Sequence, residues 1–318
     1  MGTEVSPESG KLPPLALIAG PTASGKSAVA VRLAKALEKH GRDAAVINAD
    51  SAQVYSDLQV LSARPAEEEM HGVEHLLFGA WDGARACSAA DWASAAKFEI
   101  RRLHSESAIP ILVGGTGLYL RTLLDGIAPI PEIASEIREK VRALPTTQAY
   151  EALQAKDPER AAHLDPGDSQ RIARALEVVL STGKTLAEWQ EETSGGIAGE
   201  VDLHPLILLP PRDWLYERCD RRFEIMLEQG AVEEVKALLA RNLSPDLPVM
   251  RAIGVPEIAA FLRGAMSKAE MIAAGQQATR NYAKRQYTWF RRQPPDGWPQ
   301  NESESVDIEC YFARLFQT

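Results

Sequence analysis

Apolar positions along the chain follow two rhythms, and the change between them divides it. Leu15 to Ala19 is an unbroken apolar run closed by Gly20, the pattern of a strand buried on both faces of a parallel sheet. Ser27 to Lys39 carries apolar residues at helical spacing and stops at Gly41, which suits the left-handed turn past a helix end. Ala44 to Asn48 reads as a second strand, Asp91 to His104 as a helix, and Ile109 to Val113 as a third strand ending in Gly114-Gly115. Strands alternating with helices predict an α/β core with a parallel sheet.

From about Asp125 to Gly199 the pattern is amphipathic and helical, with no convincing strand. Pro129 and Pro131 open that stretch, and Ser194-Gly-Gly196 with Gly199 close it, which is hinge chemistry. Leu206 to Leu209 restores a strand. Helices are expected from Asp213 to Gln229, Ala231 to Arg241 and Pro256 to Arg263. A last long helix starts at Ser267, where Glu270 completes a capping box, and runs to about Arg292 before Pro294-Pro295. The expected organisation is a discontinuous core domain, residues 12–125 and 200–318, interrupted by an all-helical insertion, residues 126–199. Residues 1–11 are expected to form a flexible tail, and the acidic stretch after Trp298 shows no element.

Composition narrows the classes. With 35 Lys plus Arg against 44 Asp plus Glu, the 318-residue chain has a formal net charge of −9, which excludes a generally sticky nucleic-acid binder. The charge is uneven. Glu67, Glu68 and Glu69 form one acidic block, and Asp296, Glu302, Glu304, Asp307 and Glu309 form another, while cations gather at 171–174 and 280–292. A localised RNA footprint therefore stays open. Cys87, Cys219 and Cys310 lie far apart with no CxxC pair, so neither a disulfide framework nor a zinc site is expected, and a reducing cytoplasm is. Leu12 to Gly20 is too short, and too interrupted by Pro13 and Pro14, for a signal peptide. No run approaches the ~18 apolar residues of a membrane span.

The clearest motif is Gly20-Pro21-Thr22-Ala23-Ser24-Gly25-Lys26-Ser27, which fits the nucleotide-binding pattern GxxxxGK[ST] between an expected strand and an expected helix. Its glycines let several backbone N–H groups face one anion, and the following helix adds its N-terminal dipole. Lys26 brings a point charge to terminal phosphates, and the Ser27 hydroxyl can ligate Mg²⁺. A phosphate loop does not name the reaction. The strand Ile109–Val113 ends in Gly114-Gly115-Thr116 without the acid an ATPase usually carries there, so the bound anion need not be a nucleotide. Asp50 follows the second strand, on the sheet edge that carries the phosphate loop, and could be either a general base or a turn residue.

Five segments in order resemble one family, the tRNA dimethylallyltransferases (tRNA isopentenyltransferases) of bacterial type. They are the phosphate loop, Asp50-Ser-Ala-Gln-Val-Tyr55, Gly114-Gly-Thr-Gly-Leu-Tyr119, Gln170-Arg-Ile-Ala-Arg-Ala-Leu-Glu-Val178 with Thr182-Gly-Lys184, and Ala283-Lys-Arg-Gln-Tyr-Thr-Trp-Phe290. The resemblance spans about residues 15–292. It implies a phosphate-loop NTPase-like core with a parallel sheet flanked by helices and an all-helical insertion involved in tRNA binding. It also implies transfer of a dimethylallyl group from dimethylallyl diphosphate to the exocyclic amine of adenosine 37, just 3′ of the anticodon.

On that resemblance the phosphate loop, Gly20 to Ser27, holds a diphosphate leaving group with Mg²⁺ on Ser27, and Asp50 accepts the proton of the attacking amine. Arg218 and Arg222, four apart on one helix face, are candidates for a diphosphate clamp, with a salt-bridged surface as the alternative and the pair unresolved. The implied tRNA contacts are Asp50, Ser51, Ala52 and Gln53; Thr116 near the flipped base; Arg138; Gln170, Arg171, Ile172, Ala173 and Arg174; Arg251 and Gly254; and Arg280, Lys284 and Arg285 on the last helix. The aromatics interleaved with those last cations fit either stacking or core packing. The expected partners are the anticodon stem-loop and dimethylallyl diphosphate, with no membrane, and the chain is expected to be a monomer.

Departures are few. Ser27 stands where Thr is more usual, only His75 remains where the family often has paired histidines, and Val255-Pro256 replaces a common Tyr-Arg. No zinc-finger extension is seen. Three competing functions remain open: an adenylate dimethylallyltransferase acting on free AMP, ADP or ATP, a small-molecule kinase, and a non-catalytic RNA-binding protein, which would leave Asp50 unexplained.

Overall fold

A computed structural model describes residues 11–317; of the expected tail at residues 1–11, all but Lys11 lie outside the described residues. The chain divides into two compact units, residues 1–123 with 197–318, and residues 124–196.

The first unit begins with β1 (Pro14–Ala19), α1 (Lys26–Lys39), β2 (Ala44–Asn48), α2 (Glu67–Met70), β3 (Glu74–Leu76), α3 (Ala89–Ser105), β4 (Ile109–Gly114) and α4 (Gly117–Leu124). Five helices of the second unit follow: α5 (Ser135–Arg142), α6 (Thr146–Lys156), α7 (Pro158–Ala162), α8 (Ser169–Thr182) and α9 (Leu186–Gln190). The chain then returns with β5 (Asp202–Leu208), α10 (Arg212–Glu228), α11 (Ala231–Ala240), a 3₁₀ turn at Pro248–Arg251, α12 (Val255–Leu262) and α13 (Lys268–Arg292). It closes with β6 (Gln300–Asn301) and α14 (Ile308–Tyr311).

The six strands form one parallel sheet in the order β3-β2-β4-β1-β5-β6, flanked by helices. This is the phosphate-loop type of core. β1 and β4 are central, and their residues Leu15–Ala19 and Ile109–Val113 are buried on both faces, which is why they read as unbroken apolar runs. Because every pairing is parallel, the residues following β1, β2, β4, β5 and β6 all emerge on one edge. That edge collects the phosphate loop, Asp50, Thr116 and Glu304.

α1 lays Val29, Leu33 and Leu37 against the sheet. The same cluster contains Val306, Phe312 and Leu315, the last two fully buried. The stretch after Trp298, which shows no element from sequence, thus supplies an edge strand and part of the core. α10 and α13 pack together; Gly275 lies flat on the Phe223 ring, where an added side chain would collide. α13 begins at the expected capping box, Ser267 with Glu270.

The second unit has its own core of Val141, Leu153, Leu164, Ile172, Leu176 and Val179. Its carboxylate Glu177 is almost wholly buried and is answered by Arg142 Nε at 2.9 Å. Ile127 and Ser194 form an antiparallel bridge that closes the unit's two ends.

Candidate active site

The phosphate loop is held open by its own backbone. Gly25, at φ 87°, enters the left-handed region just before α1, and Ala23 does so at φ 62° despite its side chain. Ala23 is locked there by packing on Leu215, Cys219 and Ala283. Left-handed residues set among right-handed ones turn successive N–H groups to one side, which makes an anion cradle. Ser24 is buried, and its Oγ has no hydrogen-bond partner, a cost that a loop shaped for a ligand can carry. Lys26 Nζ donates to Pro21 O at 3.1 Å. Burial pulls the Lys26 ammonium down from 10.5 to about 8, with Asp50 pulling the other way and Arg222 adding to the drop. An incoming dianion would reverse that shift.

Asp50 is 8% exposed and held by its neighbours. Asn48, fully buried, accepts the Asp50 N–H at 2.9 Å and donates to Asp50 O at 3.0 Å and Leu77 O at 3.1 Å. Asp50 Oδ1 accepts the Ala52 N–H at 2.9 Å, which fixes the carboxylate plane and leaves Oδ2 for another partner. Beside it, Ser51 N–H donates to Thr116 Oγ1 at 2.9 Å, and Thr116 Oγ1 lies 3.2 Å from Ser51 Oγ. Tyr282 of α13 joins the two hydroxyls, and burial holds its phenol well above the usual range. Its ring is capped by the Arg285 guanidinium at 5.7 Å.

Two cavities meet at Asp50. One, of about 290 Å³, is lined mainly by Tyr55, Leu58, Leu61, Tyr119, Phe223 and Met226, with Arg251 and Arg285 also present. The other, of about 910 Å³, is lined by Gly25, Lys26, Ser27, Arg218, Arg221 and Glu304 among others. Thr22, Asp50, Ser62 and Arg222 line both. An anion-binding chamber and an apolar chamber thus share one wall that carries a carboxylate and a guanidinium.

The two clamp candidates separate. Arg222 is the inner one: its Nη1 donates to Thr22 Oγ1 at 3.2 Å, and burial lowers its pKa while Asp50 opposes the drop. Arg218 is the outer one. It stacks over Trp214 at 4.5 Å and pairs with Glu304 at 2.8 Å, rather than with any acid of its own helix. Glu304 packs directly on Gly25, so a carboxylate lies against the anion loop in the protein alone.

The expected RNA-contact residues fare unevenly. Gln53 spends its amide nitrogen on Ser62 O and Ala63 O, at 3.0 and 2.8 Å. Arg251 is tied to Pro245 and Asp246, and Arg280 to Asp220 and Gln277, so these guanidiniums carry protein partners. Lys284 and Arg285 are exposed. Gly254 caps α12, its N–H meeting Glu257 Oε2 at 3.0 Å. In the second unit Arg138, Gln170, Arg171 and Arg174 are exposed on α5 and α8, and Ala173 is half-buried. Ile172 differs from its neighbours: its side chain is fully buried in that unit's core, because α8 turns this position inward, so that side chain is not presented to a ligand.

Residues beyond the sequence expectation also enter. Gln286 bonds the phosphate loop, Asn48 orients Asp50, and Tyr282 and Glu304 reach the two chambers. His75 lines the anion chamber with its Nδ1 2.9 Å from Val73 O, and burial lowers its pKa. The sequence touches these only in passing, Gln286 within the last-helix motif, His75 as the remnant of a histidine pair and Glu304 within an acidic block, and gives none of them a role.

The donor set fits Mg²⁺ of one kind. Ser27 offers an exposed hydroxyl to the anion chamber, and among the described residues no group of three acids, histidines or cysteines could cage a cation. Mg²⁺ prefers few protein ligands and completes its octahedron with phosphate oxygens and water, so it would arrive with the diphosphate.

Comparisons with known proteins bear on the family and the fold. A family model described as IPP transferase matches residues 53–293. A tRNA dimethylallyltransferase of Erythrobacter litoralis is 67% identical over 308 residues, 97% of either chain. The solved tRNA isopentenylpyrophosphate transferase of Bacillus halodurans is 31% identical with a TM-score of 0.66, covering 95% of this chain and 94% of that one. A eukaryotic dimethylallyltransferase captured acting on tRNA has a TM-score of 0.73 at 28% identity, covering 87% of this chain and 70% of that one.

Proposed function

The chain belongs to the IPP transferase family, the tRNA dimethylallyltransferases, and from that premise we propose how its own residues carry out the transfer. The reaction moves a dimethylallyl group from dimethylallyl diphosphate to the exocyclic amine of adenosine 37 in tRNA. The relatives' names favour tRNA over a free nucleotide as acceptor. One observation carries the assignment of roles: Thr22, Asp50 and Arg222 stand in the wall shared by the anion chamber and the apolar chamber.

The diphosphate lies in the cradle of Gly20 to Ser27, with Lys26 and Arg222 against its oxygens and Arg218 at its outer end. Mg²⁺, held by Ser27 and the diphosphate itself, would supply charge neutralisation at the leaving group. The dimethylallyl chain extends into the apolar chamber beside Asp50. As the allylic C–O bond breaks, its electron pair leaves with the diphosphate, and the cations already in place receive that charge without reorganising. The adenine amine forms the new C–N bond and releases one proton, which Asp50 accepts through Oδ2. An adenine amine is a weak nucleophile, so position contributes as much as basicity.

The acceptor base must leave its stack to reach Asp50. Arg285, which lines the apolar chamber over the Tyr282 ring, and the exposed Lys284 are assigned to the RNA around that base. Exposed Arg138, Gln170, Arg171 and Arg174 are assigned to the anticodon stem-loop backbone. Three free thiols, two of them buried, support a reducing cytoplasm, and no helix among the described residues is long and apolar enough to cross a membrane.

Single-turnover transfer by Asp50→Asn tests the proton role. The rate is expected to fall about 10²–10⁴-fold with donor affinity retained. A variant as fast as the wild type would remove Asp50 from the chemistry.

A further inference from the structure

α13 carries a residue whose position no RNA contact explains. Gln286 is 5% exposed, and its carboxamide is used at both ends. Oε1 accepts the Thr22 N–H of the phosphate loop at 2.8 Å, and Nε2 donates to Gly115 O, just past β4, at 2.8 Å. The fit leaves no slack: a Cβ added at Gly115 would overlap Nε2 and press on Gly20 O. Thr22 also receives Arg222, and Thr116, next to Gly115, holds Ser51 beside Asp50. One side chain therefore ties the loop that grips the leaving group to the loop that frames the acceptor.

We propose that Gln286 is a positioning residue that fixes the donor loop and the acceptor loop in one register, setting the line from the allylic carbon to the adenine amine. The inference rests on the transfer reaction proposed above. A direct displacement by a weak nucleophile is sensitive to this line, and a misplacement of about 1 Å costs on the order of 10²-fold in rate. The group needed is a neutral planar one that accepts on one side and donates on the other. A carboxamide does this, and so does a protonated carboxyl, whereas a carboxylate cannot donate to Gly115 O.

Two variants test it, with donor and anticodon stem-loop both saturating. Gln286→Met keeps the volume and loses both bonds. Its single-turnover rate is expected to fall about 10²-fold, while the dissociation constants of donor and stem-loop each move less than about 3-fold. Gln286→Glu is expected to be as slow above neutral pH and to recover as pH falls, because facing a carbonyl in a buried site raises its carboxyl pKa and the protonated form restores the donor. Dividing each rate by the wild-type rate at the same pH removes every pH effect the two proteins share. Should Gln286→Met fail to fold, the pH profile of Gln286→Glu carries the test alone. A single-turnover rate within about 3-fold of wild type, a loss confined to substrate affinity, or a Gln286→Glu ratio flat with pH would overturn the proposal. Wild-type protein that modifies no stem-loop would instead remove the reaction on which it rests.

Discussion

Lys26 should make the donor-free protein less stable than it could be. Its ammonium is desolvated beside the cationic Arg222, and Asp50 compensates only in part. The drop from 10.5 to about 8 corresponds to at most about 3.5 kcal/mol at ~1.4 kcal/mol per pH unit. Replacing Lys26 by Met removes that cost and also the bond to Pro21 O, worth about 1 kcal/mol. The net expectation at pH 7 is a gain of about 1–2 kcal/mol. At about 2–4 °C per kcal/mol, the melting temperature should rise by several degrees. The sign with pH is fixed. A lysine whose folded pKa lies below its unfolded one carries its full cost below about pH 8 and loses it towards 10.5. The advantage of Lys26→Met should therefore shrink across that window. Thermal melts from pH 7 to 10.5, with and without inorganic pyrophosphate, read this out. Pyrophosphate should raise the wild-type melting temperature and leave the variant's nearly unchanged. A variant that melts lower at pH 7, or a wild-type-to-variant gap that does not change with pH, would refute the reasoning.

Three further outcomes follow from the same geometry. Glu304→Gln should lower the KM for the donor up to about 5-fold, because the exposed pair with Arg218 is worth at most about 1 kcal/mol and must open for the diphosphate; initial rates against donor concentration measure it. Arg222→Lys should slow single-turnover transfer by about 10–10²-fold, since an ammonium cannot span Thr22 Oγ1 and a phosphate oxygen as the guanidinium fork does, while Arg218→Lys should cost less. Phe312→Ala should destabilise the protein by about 3–5 kcal/mol in urea unfolding, because its ring is fully buried in the core that α1 shares.

The central strands, α1 and α13 were legible because each announces itself locally. An unbroken apolar run such as Ile109–Val113 marks a strand covered on both faces, and Ser267 with Glu270 marks a helix start. The three-residue β3, largely uncovered, has no such period, and α4 starts on glycine. The tail after Trp298 hid its role because β6 is two residues long and Phe312 and Leu315 are isolated among acids.

In the site, the phosphate loop and Asp50 could be read because contiguous backbone makes them. Gln286 and Glu304 reach the same loop from more than 260 positions away, and no local pattern encodes that. Charge was the least reliable guide. Arg280 and Arg251 look like RNA cations in the sequence, yet each has an acid within its own unit, Asp220 and Asp246.

The most direct test of the central claim is to map the transferred group. The protein is incubated with Mg²⁺, labelled dimethylallyl diphosphate, an unmodified anticodon stem-loop and equimolar AMP, and the products are digested to nucleosides. Label is expected on the exocyclic amine of adenosine 37, appearing far more slowly with Asp50→Asn, and none on AMP. Label on AMP alone, or phosphate transferred in place of the C5 group, would contradict it.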